Sequence, residues 1–389
     1  MINSRTFLDF DTRRVPSPCF VADEVALENN LKILAHLQSE SGAKVLLALK
    51  AFSLFALSPL ISRYLSGTCA SGLHEARLAH EEFNGELHTY SAAYKESELR
   101  EILAISHHVV FNSFSQWHRF QPLAQAATVD RPELTFGLRI NPGHSEGTVP
   151  LYDPCAPCSR LGIPISAFDE TQMEGISGLH FHSLCEQGFE PLDRTLSVIE
   201  QKLGKTLHTL KWINFGGGHH ITMPSYNREA LIARIKAFQE RYQLQVYLEP
   251  GEAVAICTGV LVSEVLDITR NAMDLAILDT SATCHIPDIL EAPYRADIFG
   301  SGEPKEKAHC YRLGGQSCLA GDVIGDYSFD QPLRIGQRLI FDDMAHYTMV
   351  KTNTFNGIAL PAIAVWNSKT DQLRIIREFD YQDFKRRLS

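Results

Sequence analysis

The 389-residue sequence predicts a (β/α)8 barrel followed by an all-β domain, and three observations carry that prediction. Eight short apolar runs of β character alternate with amphipathic stretches through the first two thirds of the chain. After Glu252 strand-like runs follow one another without long helices between them. Charged residues, histidines and glycines gather where the predicted barrel strands end, which is where barrel active sites are built.

The barrel strands are read at residues 44–49, 67–70, 86–90, 108–111, 134–140, 176–182, 211–215 and 244–249. Between them run helical periodicities: Leu27, Leu31 and Leu34 recur at i, i+4 and i+7, and residues 73–82, 96–105 and 229–241 follow the same pattern. Together they define a barrel over residues 21–254. The β domain is expected over 255–389, with strands at 256–268, 272–278, 309–313, 338–341, 347–351, 362–366 and 373–377. Residues 1–20, held extended by Pro16 and Pro18, are expected to join that domain and add a strand to it.

Composition narrows the function classes. Hydrophobic residues make up 44% and charged residues 21%, as in a soluble packed protein rather than a disordered, collagenous or coiled-coil one. The formal charge of -10 argues against a nucleic-acid footprint and suits a cationic ligand. No run approaches the ~18 apolar residues of a membrane helix, and the opening M-I-N-S-R-T-F-L-D-F-D has no signal-peptide character, so no membrane and a cytoplasmic location are expected. Nine scattered cysteines do not make a disulfide framework and are expected to be mostly reduced.

Five rim positions bear chemistry. Lys50 directly follows V-L-L-A-L, where an apolar barrel mouth favours a neutral amine able to attack an aldehyde. By position alone it is equally a charged residue ending a strand. Arg139 and Asn141 close the fifth strand. Gly216, Gly217 and Gly218 after W-I-N-F can curl backbone amides around an anion at the customary phosphate end of a barrel; a tight structural turn is the alternative. Glu249, before Pro250-Gly251, can hold a pyridine nitrogen protonated, or can be a strand-ending acid in a salt bridge. Amine, amides and carboxylate together match pyridoxal 5'-phosphate.

Two histidines and two cysteines offer rival chemistry. His180 and His182 share a strand face, the spacing of H-x-H metal ligation, but the other strand ends supply no further ligand set and no metal is expected. His182 is better used as a flat ring on a planar cofactor, with His180 packed inside the barrel. Cys155 and Cys158 in D-P-C-A-P-C-S form a lone C-x-x-C, read as structural thiols. His219-His220 beside the glycines reads as a solvated loop pair, with contact to a ligand phosphate as the alternative.

Over nearly the whole chain, the sequence resembles the carboxynorspermidine/carboxyspermidine decarboxylases, within the fold type III pyridoxal phosphate enzymes of the alanine racemase and ornithine decarboxylase kind. The resemblance is carried by A-L-K-A-F around Lys50, G-L-H-F-H-S-L-C-E at 178–186, N-F-G-G-G-H-H at 214–220, L-E-P-G-E-A from Leu248, S-A-T-C-H-I-P-D from Ser281 and G-Q-S-C-L-A-G-D from Gly315. It implies that Lys50 carries the cofactor covalently, His182 stacks on its ring, Gly216 to Gly218 hold phosphate and Glu249 pairs with the ring nitrogen. It further implies Arg139 near the ring oxygen, Tyr347 at the phosphate, and Cys318 and Asp322 at the catalytic face of a partner subunit in a homodimer.

The ornithine enzyme carries Arg after its E-P-G turn, whereas this chain has Glu252. That reversal, with Asp288 in H-I-P-D, suits a substrate bearing several ammonium groups. Asp288 reads equally well as a helix cap or loop acid. The resemblance thus implies decarboxylation of carboxynorspermidine or carboxyspermidine, with Cys318 or a water it positions returning a proton.

Overall fold

The computed structural model describes residues 4–389 and divides the chain into two compact units, 28–254 and 1–27 with 255–389. The first is a closed barrel of eight parallel strands: Lys44–Ala48, Gly67–Ala70, Glu86–Tyr90, His108–Phe111, Thr135–Asn141, Gly178–His180, Trp212–Asn214 and Gln245–Leu248. Each pairs with its neighbours in chain order, and the first pairs with the last to close the ring. All eight predicted strands are present, several shorter than expected. The sixth stops at His180, so His182 lies in the loop beyond it, and the eighth stops one residue before Glu249.

Strand interiors are buried on both faces because helices cover the outside of the ring while side chains fill the inside. The covering helices include Leu73–Glu82, Glu96–Ile105, Phe114–Ala127, Phe189–Leu207 and Arg228–Tyr242. Phe189–Leu207 is amphipathic and buries Leu192, Leu196, Ile199 and Leu203 at helical spacing. The strict alternation fails once: residues 142–177 hold only short 3-10 turns and the two-residue strand Ile163–Pro164. The prolines of D-P-C-A-P-C-S fall in that segment. Inside the barrel, Trp212 of the seventh strand occupies space that glycines on the sixth and fifth strands leave open. A Cβ on Gly178 would lie 2.1 Å from its ring and one on Gly137 2.3 Å.

The second unit is an eight-stranded sheet. Its order is Val323–Phe329, His309–Gly314, Met273–Leu278, Gly259–Asn271, Cys19–Asp23, Ala362–Asn367 and Gln372–Arg377, with Arg338–Phe341 also pairing with Gly259–Asn271. Cys19–Asp23 is buried along its length, antiparallel to one neighbour and parallel to the other. Phe7 and Phe10 pack on Trp366 at 5.2 and 5.1 Å between ring centroids. Two expectations need correction. Residues 347–351 form turns rather than a strand, with Tyr347 itself at φ +43°, a value that breaks an extended run. Val323–Phe329 is a strand the apolar pattern did not disclose, because Gly325 and Asp326 interrupt it. Among the described residues no helix is long and apolar enough to cross a membrane, and no disulfide joins any of the nine cysteines.

Candidate active site

The carboxyl ends of the barrel strands enclose a cleft of about 400 Å3, counting its open mouth, lined by Ala48, Lys50, Cys69, Ala70, Ser71, Tyr90, Arg139, His180, His182 and Glu249. Four of these were singled out from sequence as cofactor contacts: Lys50, Arg139, His182 and Glu249. Lys50 stands two residues past the first strand and opens into the cleft. Its side chain keeps solvent access at the open mouth of the cleft, yet desolvation by the protein atoms crowding the amine, and then the positive charge of Arg139, lower its pKa; Cys69, Glu249 and Glu75 pull the other way without restoring it. The result is an amine biased toward its neutral, nucleophilic form.

Arg139 is itself buried, with its guanidinium 4.5 Å from the centroid of Tyr90 and one nitrogen 3.5 Å from the carbonyl of His182. Tyr90 is fixed in turn, its hydroxyl donating to Asn112 Oδ1 at 2.7 Å. The Arg139 charge is therefore held in place by an aromatic face and backbone.

Glu249 is the ionised member of the site. Burial acts to raise its pKa, but His180, a contribution from His88 and the Asn214 amide outweigh it and bring the carboxyl down to about 2. Its two oxygens are shared out: His180 Nε2 lies 3.0 Å from Oε2, and Asn214 Nδ2 donates to Oε1 at 2.7 Å. No lysine or arginine pairs with it among the described residues, so its charge remains available to a proton placed in the cleft.

The glycine turn is built by close approach. A Cβ on Gly216 would lie 2.4 Å from the Phe181 carbonyl, on Gly217 2.1 Å from the Glu249 carbonyl, and on Gly218 1.9 Å from the Leu184 carbonyl. Gly216 and Gly218 also adopt φ of +70° and +84°, which glycine alone takes without cost. Two of the three amides serve the site's own side chains. Gly216 N–H donates to Asn214 Oδ1 at 2.8 Å, and Gly217 N–H donates to His182 Nδ1 at 3.0 Å. The expectation that all three curl around an anion narrows accordingly to Gly218. His182, accepting at Nδ1, is held neutral by burial and by the charges of Lys50 and Arg139, which depress its pKa well below the usual value. A neutral imidazole in that state carries its proton on Nε2.

Several residues of the site escaped the sequence reading, Tyr90 and Cys69 among them, and two others hold Glu249. His180 lines the cleft and holds Glu249 instead of merely packing; its two-residue spacing from His182 was the available signal. Asn214 carried none beyond its place before the glycines. His219 is buried on Tyr226, 2.6 Å from its hydroxyl, so of the expected solvated loop pair this member is enclosed instead. Cys155 is part-buried, and burial pushes its thiol up to about 11, as befits an inert residue.

The remaining expected site residues lie elsewhere. Glu252 begins the short helix Glu252–Ala255, with His220 Nε2 3.3 Å from its carboxylate. Cys318, Asp322, Tyr347 and Asp288 belong to the sheet unit. Cys318 is exposed, and its amide donates to Asn356 Oδ1 at 2.9 Å. Asp322 is buried and accepts from Ser281 Oγ at 2.9 Å and from the Ser317 amide at 3.1 Å. Asp288 is buried and already ion-paired with Lys351, which also reaches Glu291 at 2.8 Å. That pairing satisfies the charge a substrate amine was expected to meet.

A lysine amine of lowered pKa, an ionised carboxylate with no lysine or arginine partner among the described residues, a flat neutral imidazole and a glycine turn fit pyridoxal phosphate group by group. Residues 19–345 match the family described as pyridoxal-dependent decarboxylase, C-terminal sheet domain. The chain belongs to the pyridoxal-dependent decarboxylases. As in other enzymes of this family, pyridoxal phosphate is the cofactor and loss of a carboxyl group the reaction class.

Within these decarboxylases the chain falls among the carboxynorspermidine/carboxyspermidine enzymes. It is 44% identical over 385 residues to a carboxynorspermidine/carboxyspermidine decarboxylase of Campylobacter jejuni, covering 96% of this chain and 99% of that one. It is also 44% identical over 376 residues to a carboxyaminopropylagmatine decarboxylase of Synechocystis, covering 96% of both. The crystal structure of carboxynorspermidine decarboxylase from Campylobacter jejuni, complexed with norspermidine, superposes with a TM-score of 0.87 at 43% identity, over 96% of this chain and all of that one.

Proposed function

We propose that this decarboxylase acts on carboxynorspermidine, carboxyspermidine or both, releasing carbon dioxide and the corresponding triamine in polyamine biosynthesis. The observation that carries the reading is the pairing of a Lys50 amine of depressed pKa with a Glu249 carboxylate whose partners are His180 and Asn214 rather than a cationic Lys or Arg. When bound, pyridoxal phosphate supplies an aldehyde for amine exchange and a pyridinium ring that takes up the electron pair left by the departing carboxyl group.

The chain's own residues do the rest. Lys50 would hold the cofactor through its amine, whose pKa the surrounding protein lowers, and the same amine would serve product release. Glu249 holds a proton on the ring nitrogen by accepting a charge-assisted hydrogen bond. His182 would stack its neutral ring on the cofactor face, Arg139 would stand by the ring oxygen, and the backbone at Gly216, Gly217 and Gly218 would close on the phosphate, the Gly218 amide being the one not given to a site side chain. Glu252, in place of a basic residue, draws a distal ammonium of the substrate and leaves little room for the carboxylate end of diaminopimelate. Asp288 is left out of this assignment because Lys351 already neutralises it.

The reading extends to the assembly. The barrel, expected over 21–254 and begun at 28 in the structure, would hold the cofactor, while the sheet domain of 255–389 with the N-terminal segment would contribute Tyr347 to the phosphate and, across a cytoplasmic homodimer, Cys318 and Asp322 to the partner's site. Cys318 returns a proton to Cα of the product. Mixing inactive Lys50→Ala and Cys318→Ala subunits tests this: partial activity returns if sites are shared, and none returns if each site is made by one chain.

The test of substrate is carbon dioxide release from purified enzyme offered carboxynorspermidine, carboxyspermidine, carboxyaminopropylagmatine and diaminopimelate. Turnover of either carboxy-triamine supports the assignment. Turnover confined to carboxyaminopropylagmatine or diaminopimelate overturns it.

A further inference from the structure

We propose that Asn214 is a positioning residue that ties the carboxylate of Glu249 to the glycine turn, so that the ring-nitrogen end and the phosphate end of the cofactor site hold one fixed separation. The inference rests on the pyridoxal phosphate reading of this cleft. Asn214 is the last residue of the seventh strand and is almost completely buried. Its side chain has two different partners: Nδ2 donates to Glu249 Oε1 at 2.7 Å, and Oδ1 accepts from Gly216 N–H at 2.8 Å. One partner can only accept and the other can only donate, so only this orientation of the amide satisfies both. The backbone repeats the link, with Glu249 N–H donating to the Gly216 carbonyl at 2.7 Å and Phe181 N–H to the Asn214 carbonyl at 3.0 Å.

The residue type matters as much as the place. A neutral amide fills the second oxygen of Glu249 without cancelling its charge, which a lysine or arginine would do. An aspartate would keep the acceptor for Gly216 but present a second carboxylate to Glu249, and two carboxylates at that distance share a proton. Asn214→Asp therefore breaks one half of the tie, and Asn214→Ala breaks both.

The experiment uses purified holoenzyme carrying pyridoxal phosphate and follows two quantities besides activity: the pH dependence of the bound cofactor's absorbance and its rate of loss on dilution. The near-isosteric Asn214→Asp is expected to fold, to lose cofactor at nearly the wild-type rate, and to show a new titration between about pH 5 and 8 from the shared proton. Its kcat falls while KM changes little. Asn214→Ala is expected to lose cofactor about tenfold faster, the scale of one hydrogen bond to a charged group. In a Glu249→Gln background that difference shrinks, since the charged partner is gone.

A wild-type titration curve in Asn214→Asp would overturn the inference, and so would an unchanged rate of loss in Asn214→Ala. Wild-type protein that fails to take up pyridoxal phosphate at all would instead overturn the functional reading beneath it.

Discussion

The two ends of the barrel use the same residue types to opposite effect. At the amino end, Lys44 is ion-paired directly with Glu86, and Tyr247 donates to the same carboxylate at 3.0 Å. His88 and His108 stack there at 4.1 Å between ring centroids, His88 Nε2 lying 3.3 Å from Glu86. Glu86, His88 and His108 have the spacing of a metal site, but the lysine ammonium already meets the carboxylate. At the carboxyl end, Lys50 and Glu249 line one cleft, and the carboxylate is given to His180 and Asn214. Opposite charges joined directly make a plug. Kept apart by intervening donors, they leave a nucleophile and a charge-stabilising acid both available, and that separation distinguishes a reactive end from a structural one.

Breaking the reactive end has the largest expected effect. Lys50→Ala should lower turnover by about three orders of magnitude or more and abolish borohydride-trappable cofactor, read by kinetics and mass spectrometry. Glu249→Gln comes next. It should keep the trapped adduct but cost about a hundredfold in kcat, because a neutral amide no longer holds the ring-nitrogen proton.

Acid should expose what the two ends share. Glu249 is held at about 2 against an ordinary 4.5, and Glu86 is also lowered. A depressed carboxyl pKa stabilises the fold above the unfolded value and loses that contribution as pH falls toward the folded value. Unfolding free energy should thus decline from pH 4.5 toward 2, and in Glu249→Gln or Glu86→Gln that decline should be shallower. His182, also depressed, adds an earlier loss as pH drops below 6.5. Denaturant melts across this range check the slopes.

The smallest effect belongs to the plug. Its pair is partly exposed, so Lys44→Ala should lower Tm by only roughly 2–4 °C and leave kcat within about twofold, measured by calorimetry and steady-state kinetics.

Much of the reactive end was legible before any coordinates. Lys50, Arg139, His182 and Glu249 stood out because a polar or charged residue closing an apolar run is expensive unless it is used. Gly216 to Gly218 stood out because three consecutive glycines forgo every side chain. His180 was read as packing, since a histidine inside a barrel strand carries the same pattern whether it fills space or supports a carboxylate. Asn214 was invisible because its meaning lies in two partners, Gly216 and Glu249, brought together only when strands seven and eight pair. The amino-end cluster was hidden likewise: Lys44, Glu86 and His108 each open a strand, and nothing local says they meet. Residues 347–351 misled because Y-T-M-V reads as a strand by residue type, and nothing local announces that Tyr347 takes φ +43° and turns the chain.

The most direct measurement is borohydride reduction of the holoenzyme followed by proteolysis and peptide mass spectrometry. The pyridoxyl adduct should appear on the peptide containing Lys50. An adduct on Lys44 or any other lysine, or none, would contradict the account.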